Sequence, residues 1–153
     1  MLKPIHLDIV VFGNNDPVEI DRSRRAILKA LFFLSRLNRD YFLTYPKTPR
    51  LYESGCRYIP EGPIEEWQDV PRTLAKGGGD CEDLACYRVG ELMAQGIRAF
   101  PFISWREGKR GMIYHVTVRH PNGLIEDPSR ALGMLGEFQN RPVIIGRNMA
   151  GIR

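Results

Sequence analysis

Three consecutive glycines at 77–79, followed by Asp80, constrain the fold of this chain more than any other feature. Glycine adopts turn conformations that are closed to other residues, and aspartate is a favoured helix N-cap. The sequence therefore predicts a tight turn that opens a helix over residues 81–95, with Gly96 as its C-terminal stop. One face of that helix is lined by Cys81, Leu84, Ala85, Arg88, Val89 and Leu92.

The stretch that follows is typical of a small antiparallel sheet. Residues 97–104 are predicted to form one strand, in which Pro101 indicates an edge position or a bulge. A charged, glycine-containing loop is expected over residues 106–111. Residues 112–119 form the clearest strand, and after a His-Pro-Asn-Gly turn the chain returns as a short partner strand, Leu124–Asp127.

A long helix is predicted upstream of the glycine turn. Asp16 and Ser23 are both suitable caps, and Pro17 suits a first helical position. The helix is expected to run to about Asn38 or Phe42, with an apolar face wide enough for a core helix. The residues of that face are Ile27, Leu28, Leu31, Phe32 and Leu34.

Three other segments carry weaker patterns. Residues 5–12 alternate as a half-buried strand does, and residues 142–146 could add one short strand. Residues 44–71 contain five prolines and are predicted to be extended and turn-rich, without a regular element. The aromatic residues expected to pack this last segment down are Tyr45, Tyr52, Tyr58 and Trp67.

Within this frame, Cys81, His115 and Asp127 have the residue types of a nucleophilic site. Cys81 falls on the first turn of its helix, where outward N–H groups and the helix dipole favour a thiolate and can stabilise an oxyanion. His115 lies in the middle of its strand and could accept the thiol proton. Asp127, on the next strand, could hold the imidazole in one tautomer.

The register of the strand pair decides whether His115 and Asp127 can cooperate. A five-residue connecting loop pairs Val118 with Leu124, and this register places His115 opposite Asp127. A tight two-residue turn would instead put the two side chains on opposite faces of the sheet. Pro121 lacks the N–H group that the tight turn needs, so the longer loop is expected.

Each of these three residues also has a purely structural interpretation. A cysteine in a helix is usually a small buried hydrophobe, and a single strand histidine is usually a satisfied core residue. Asp127, which precedes Pro128, could simply end its strand as a turn former. The functional interpretation is favoured by the combination of the glycine turn, the helix-start cysteine, the strand histidine and the following aspartate.

The reactivity expected of Cys81 depends on its charged neighbours. Asp80, Glu82 and Asp83 would each repel a thiolate, but successive helix positions are about 100° apart. Glu82 and Asp83 are therefore expected to turn away from the face that holds the thiol. The helix dipole and His115 should then dominate, so that Cys81 reacts readily near neutral pH.

A metal or phosphate site is not indicated by the sequence. Cys81 and Cys86 would lie on different helix faces, Cys56 is remote in sequence, and no CxxC or HxxxH pair is present. The glycine turn is not followed by the GK[ST] of a phosphate loop, and its acidic neighbours would repel phosphate. We therefore predict that the site uses no metal and no organic cofactor.

Bulk properties narrow the classes of protein further. A length of 153 residues suits one domain spanning residues 1–153, and no apolar run is long enough to cross a membrane. Three cysteines and the absence of a signal peptide predict a reducing compartment without a disulfide framework. The net charge of +4 is concentrated on the first long helix, where a solvated face explains it. Nucleic-acid binding rests on this charge alone and is the weakest hypothesis.

The segment GGGDCEDLACYRVGELMAQGIRAFPF resembles the nucleophile region of the transglutaminase-like superfamily. YHVTVR and IEDPS resemble the histidine strand and the aspartate-proline strand end of that superfamily, in the same order. WQDVPRTLAKG is similar to the approach to the nucleophile in bacterial transglutaminase-like cysteine proteases. The resemblance covers about residues 66–130. More narrowly, LYESGCRY, EEWQDVP and IEDPSRALGM are similar to stand-alone transglutaminase-like proteins of tailed bacteriophages and prophages.

This resemblance implies an α+β, papain-like core in which the nucleophile helix packs on a small antiparallel sheet. It implies a thiol-dependent acyl-transfer enzyme with Cys81, His115 and Asp127 as catalytic residues and Gln68 as oxyanion support. The expected substrate is a protein or peptide, with hydrolysis favoured over cross-linking. The alternative is a structural or assembly protein of a phage virion with little turnover. The expected location is the bacterial host cytoplasm or the virion, with virion proteins as partners.

Overall fold

The computed structural model describes residues 17–62, 64–108 and 111–135, and the strands predicted at 5–12 and 142–146 lie outside them. Helices and strands are interspersed along the chain, as in an α+β fold. The helices are α1 (Pro17–Thr44), α2 (Val70–Lys76), α3 (Cys81–Ala94) and α4 (Pro128–Ala131), with a short 3-10 turn at Leu51–Glu53. The strands are β1 (Arg57–Tyr58), β2 (Gly78–Gly79), β3 (Phe100–Gly108), β4 (Gly111–Arg119) and β5 (Ile125–Glu126).

Helix α3 is the centre of the fold, and every residue from Glu82 to Leu92 is buried. One side of α3 packs with α1 and with the sheet in a first apolar core, which includes Ala85, Val89 and Val116. Leu84 and Tyr87 belong to a second core, together with residues from the end of α1 and from the segment that leads to α2. The helix predicted over residues 81–95 is therefore confirmed, and it is a packed core element.

The long helix α1 begins at Pro17, as the sequence predicts, and continues two residues past Phe42. It crosses α3 at Gly90, where a Cβ atom would come within 2.5 Å of Asn38 Cβ and 2.9 Å of the Arg39 nitrogen. Only glycine allows the two helices to approach so closely at this point. The Asn38 side chain also accepts a hydrogen bond from the Val70 N–H at 3.0 Å, which ties the start of α2 to the same crossing.

The antiparallel sheet has the strand order β3-β4-β5, so β3 is an edge strand and Pro101 occupies the edge position expected of it. The loop predicted over residues 106–111 is wrong, because β3 continues to Gly108 and β4 begins at Gly111. In the described part of the chain, β5 covers only the last two residues of β4. Among the described residues, the end of the β3–β4 ribbon near Gly108 and Gly111 is therefore two-stranded.

The register of β4 and β5 differs from the predicted one by two residues. Val118 pairs with Glu126 rather than with Leu124. The His120 N–H donates a hydrogen bond to the Leu124 carbonyl at 2.8 Å, and this bond closes the loop between β4 and β5. Leu124, which was predicted to begin the partner strand, therefore belongs to the loop. A shift by an even number keeps every side chain on its face. His115 and Asp127 therefore stay on one face although the predicted register is wrong.

The proline-rich segment 44–71 has more regular structure than the sequence suggested. It contains the 3-10 turn and β1, and α2 begins inside it at Val70. Asp69 caps α2 by accepting a hydrogen bond from the Arg72 N–H, and Gly77 ends it in the left-handed conformation. These two signals were readable in the sequence. No helix of the described residues has the length and hydropathy needed to span a bilayer.

Candidate active site

The start of α3 is held in place by two glycines that no other residue could replace without movement. A Cβ atom on Gly78 would collide with the Arg57 carbonyl group, across the parallel pairing of β1 with β2. A Cβ atom on Gly79 would collide with the Asp83 side chain. The glycine turn predicted from the sequence is thus required by close packing on both sides, and it delivers Cys81 to the first position of α3.

Asp83 organises this turn from inside the protein. Its carboxylate accepts hydrogen bonds from the Gln68 backbone N–H and from Gln68 Nε2, both at 2.7 Å, and from the Asp80 N–H at 3.3 Å. Asp80 and Asp83 together form the capping box of α3. Gln68 is buried and its amide is engaged with Asp83, which favours a structural role. Its assignment as oxyanion support stays a prediction.

The Cys81 thiol contacts a carboxylate that was expected to point elsewhere. The thiol donates to Glu82 Oε2 at 2.8 Å, and the Tyr114 hydroxyl donates to Glu82 Oε1 at 2.5 Å. Glu82 is 2% exposed. The prediction that Glu82 turns away from the thiol is wrong, because the Glu82 carboxylate is buried between the thiol and Tyr114. The Asp83 carboxylate instead bonds Gln68 and the Asp80 N–H.

The surroundings of Cys81 do not favour a thiolate. Burial raises the pKa of the Cys81 thiol well above its ordinary value, and the neighbouring Glu82 carboxylate raises it further. The Val116 backbone acts on this pKa in the opposite direction but does not prevail.

His115 and Asp127 form the pair that the sequence predicted. His115 Nε2 lies 2.9 Å from Asp127 Oδ2, and both residues are almost fully buried. The other oxygen of Asp127 accepts from the Arg130 N–H at 3.2 Å, because Asp127 also caps α4. Each carboxylate oxygen of Asp127 thus has a hydrogen-bond partner, and the bond to Oδ2 holds the His115 imidazole through Nε2. A direct contact between this imidazole and the Cys81 thiol stays a prediction.

A cavity of about 260 Å³ lies next to the thiol. It is lined by four carboxylates, two tyrosines, an isoleucine and the nucleophile candidate. These residues are Tyr58, Glu61, Glu65, Asp80, Cys81, Glu82, Ile113 and Tyr114. Strand β4 contributes Ile113 and Tyr114 to this lining, whereas His115 and Asp127 do not line the cavity.

The four carboxylates of this cavity crowd one another. One oxygen from each of Glu61, Glu65, Asp80 and Glu82 lies within 4.8 Å of the others. Burial is the main cause that raises the pKa of Asp80 and of Glu82 to about 7 and that of Glu61 to about 8. Such shifts mean that the folded protein resists placing several negative charges in this space.

Two oxygens of this group, Asp80 Oδ1 and Glu61 Oε2, are buried and accept no hydrogen bond when all the carboxyl groups of the described residues are ionised. Protonation allows Glu61 and Asp80 to hydrogen-bond each other. An all-oxygen donor set with unpaired lone pairs is what Ca²⁺ and Mg²⁺ prefer. The prediction of no metal site considered thiol ligands, whereas the structure gathers carboxylates. Asp80 and Glu82 flank Cys81 in the sequence and could have raised this question, but nothing local marks Glu61 or Glu65.

Comparison of the chain with protein-family models, with curated proteins and with solved structures finds no match in any of the three.

Replacing Glu82 with glutamine is expected to make Cys81 more reactive. The substitution removes a negative charge from contact with the sulfur, so the thiol pKa falls and more thiolate is present at about pH 8. A fall of one pKa unit corresponds to about tenfold more thiolate. Iodoacetamide labelling of Cys81, followed by peptide mass spectrometry, should accelerate several-fold in Glu82→Gln and stay unchanged in Glu53→Gln, which removes an exposed charge. Equal rates in all three proteins would contradict this assignment.

Proposed function

We propose that this protein is a thiol-dependent acyl-transfer enzyme in which Cys81 is the nucleophile, His115 the general base and Asp127 the residue that orients His115. The observation that carries the proposal is the buried His115–Asp127 hydrogen bond of 2.9 Å, on the strand that packs against the start of the cysteine helix. A histidine held in one tautomer by a carboxylate is what a thiol nucleophile requires of its base.

The proposed reaction uses the two nitrogens of His115 differently. Because Nε2 is bonded to Asp127, the proton of the Cys81 thiol passes to Nδ1. The sulfur then forms a bond to the substrate carbonyl carbon, the carbon–nitrogen bond of the amide breaks, and the departing amine takes the proton back from Nδ1. Water attacks the resulting thioester with the same base, which releases a carboxylic acid and restores the thiol.

Backbone groups at the start of α3 would stabilise the oxyanion that forms during this reaction, since the first N–H groups of a helix have no partner inside it. We further propose that the α+β arrangement is a papain-like core. In support, the cysteine-bearing helix, the histidine strand and the aspartate at a strand end follow in the order that the sequence resemblance implies. A peptide or amide of a protein is the proposed substrate, and water the favoured acceptor.

An activated ester tests this proposal without knowledge of the natural substrate. With p-nitrophenyl acetate, the protein should release p-nitrophenol and carry a transient acetyl group on Cys81, detected by peptide mass spectrometry. Cys81→Ala should abolish the adduct, and His115→Ala should slow its formation by about 10²–10⁴-fold, the usual contribution of a general base. Cys86→Ala, which removes a buried thiol, serves as the control.

Acetylation that is equally fast without His115, or that falls on Cys56 as readily as on Cys81, would contradict the proposed mechanism. The protein would then fit the rival hypothesis of a structural component that retains the fold without turnover.

The acidic cavity supports a second function, the binding of a divalent cation such as Ca²⁺ by Glu61, Glu65, Asp80 and Glu82. This rests on the spacing of the four carboxylates and on the unpaired oxygen of Asp80, a residue that is 9% exposed. A bound cation would supply positive charge beside the thiol and offset the repulsion among these carboxylates.

Calcium is expected to raise the melting temperature, and more so at about pH 8 than at about pH 5. The pKa values of Glu61, Asp80 and Glu82 are higher in the folded protein than in the unfolded chain, so protonation of these groups stabilises the fold. That contribution to the free energy of unfolding is lost as the pH rises from about 4.5 through about 8. A cation that replaces the protons regains about 2.7 kcal/mol at a concentration of 100 Kd.

Asp80→Asn is the matched variant, because asparagine caps a helix as well as aspartate does but carries no charge. It should weaken the stabilisation by calcium. The absence of stabilisation at about pH 8, or the same stabilisation in Asp80→Asn, would contradict a cation site here.

A further inference from the structure

A second cluster of charged groups lies inside the protein, away from the acidic cavity, and it centres on Glu126. This residue is 0% exposed. Its Oε1 accepts hydrogen bonds from Tyr52 Oη at 2.5 Å and from Arg88 Nε at 2.8 Å, and its Oε2 lies 2.7 Å from His120 Nε2. These contacts hold the pKa of Glu126 below its ordinary value, although burial acts in the opposite direction.

The cluster continues through Arg88 into a second carboxylate. Arg88 Nη1 donates to Glu91 Oε1 at 2.5 Å, and Glu91 Oε2 accepts from the Leu51 N–H at 3.0 Å. The Arg88 guanidinium also lies over the Tyr52 ring, 5.4 Å from its centroid. One guanidinium thus bridges two buried carboxylates, one on its own helix and one on the sheet.

The position of Glu126 in the chain gives this bridge its significance. Glu126 immediately precedes Asp127, whose carboxylate fixes His115. Arg88 lies on α3 seven residues after Cys81, which is about 10.5 Å along the helix axis. The Arg88–Glu126 ion pair is therefore a direct tie between the helix that carries the proposed nucleophile and the strand end that carries the proposed orienting carboxylate.

The geometry points to Glu126 as a positioning residue of the proposed active site, which acts by holding Asp127 and His115 at a fixed distance from α3 through Arg88. This inference rests on the proposed function for its catalytic consequence, but not for its structural one. Burying such a charge is costly unless it is paired, and a buried pair is a weak source of net stability. Apolar residues could fill the same space without this cost. Stability alone therefore does not explain the buried Arg88–Glu126 pair, whereas a role in positioning Asp127 does.

Glu126→Gln tests the inference, with Glu91→Gln as its matched control. Both variants remove a buried carboxylate that is bonded to the same guanidinium, but only Glu126 adjoins Asp127. The first readout is the proton resonance of the His115 Nε2–H in nuclear magnetic resonance, which reports the bond to Asp127. It should shift or broaden in Glu126→Gln and stay at its wild-type position in Glu91→Gln.

The second readout is the acetylation of Cys81 by p-nitrophenyl acetate. Misplacement of a reacting group by about 1 Å can cost about 100-fold in rate. The kcat for acetylation should therefore fall about tenfold to 100-fold in Glu126→Gln with little change in KM, while Glu91→Gln keeps the wild-type kcat. If Glu126→Gln does not fold, Tyr52→Phe removes one donor to the same carboxylate and should shift the His115 resonance in the same direction by less.

A His115 resonance that is the same in Glu126→Gln as in the wild type, or that moves as much in Glu91→Gln, would overturn the positioning role. Failure of the proposed function is distinguishable from this outcome. If the wild type does not acetylate at Cys81, the enzyme proposal fails, while the resonance still reports whether Glu126 positions the His115–Asp127 pair.

Discussion

The buried first turn of α3 is the constraint on which the rest of this structure depends. Glycines at 78 and 79 let the chain pass between Arg57 and Asp83, and Asp83 in turn holds Gln68 and the Asp80 N–H. A helix that began one residue earlier or later would lose the capping box that Asp80 and Asp83 form. Cys81 occupies the first helical position because this turn admits one geometry.

The same burial creates an electrostatic conflict at the site. A thiolate gains from the helix dipole, but here it would share a small space with the Glu82 carboxylate and three others nearby. Desolvation adds to the repulsion, so the resting state is a protonated thiol that donates to Glu82. Two features of the protein address this conflict. Asp127 fixes the orientation of the proposed base His115, and the carboxylates of the acidic cavity are the proposed ligands of a cation.

Local rules were sufficient to predict the elements that carry the site. Helix α3, its aspartate cap and its glycine stop follow from residue types over fewer than twenty positions. The shared face of His115 and Asp127 follows from the two-residue period of a strand, which holds even though the pairing is shifted by two. The two-residue shift in register follows from the hydrogen bond between the His120 N–H and the Leu124 carbonyl. The loop length alone does not predict that bond.

What could not be predicted depends on contacts between distant segments. A helical wheel gives the direction of Glu82 from the axis, but whether that direction meets solvent or Tyr114 depends on the packing of β4. Glu61 and Glu65 come from a proline-rich segment whose path over the site leaves no periodic signal. Glu126 has the sequence context of an ordinary strand residue, and its importance appears only when Arg88 and Tyr52 are seen to meet it.

We propose that the His115 imidazole and the Cys81 thiol act as one unit. The most direct test is the titration of Cys81, followed by the carbon-13 resonance of its Cβ atom in selectively labelled protein, with and without His115→Ala. If the two groups interact, loss of the imidazole raises the apparent thiol pKa, because a protonated imidazole can no longer stabilise the thiolate. An identical titration curve in the two proteins would show that Cys81 does not sense His115, and it would contradict the account.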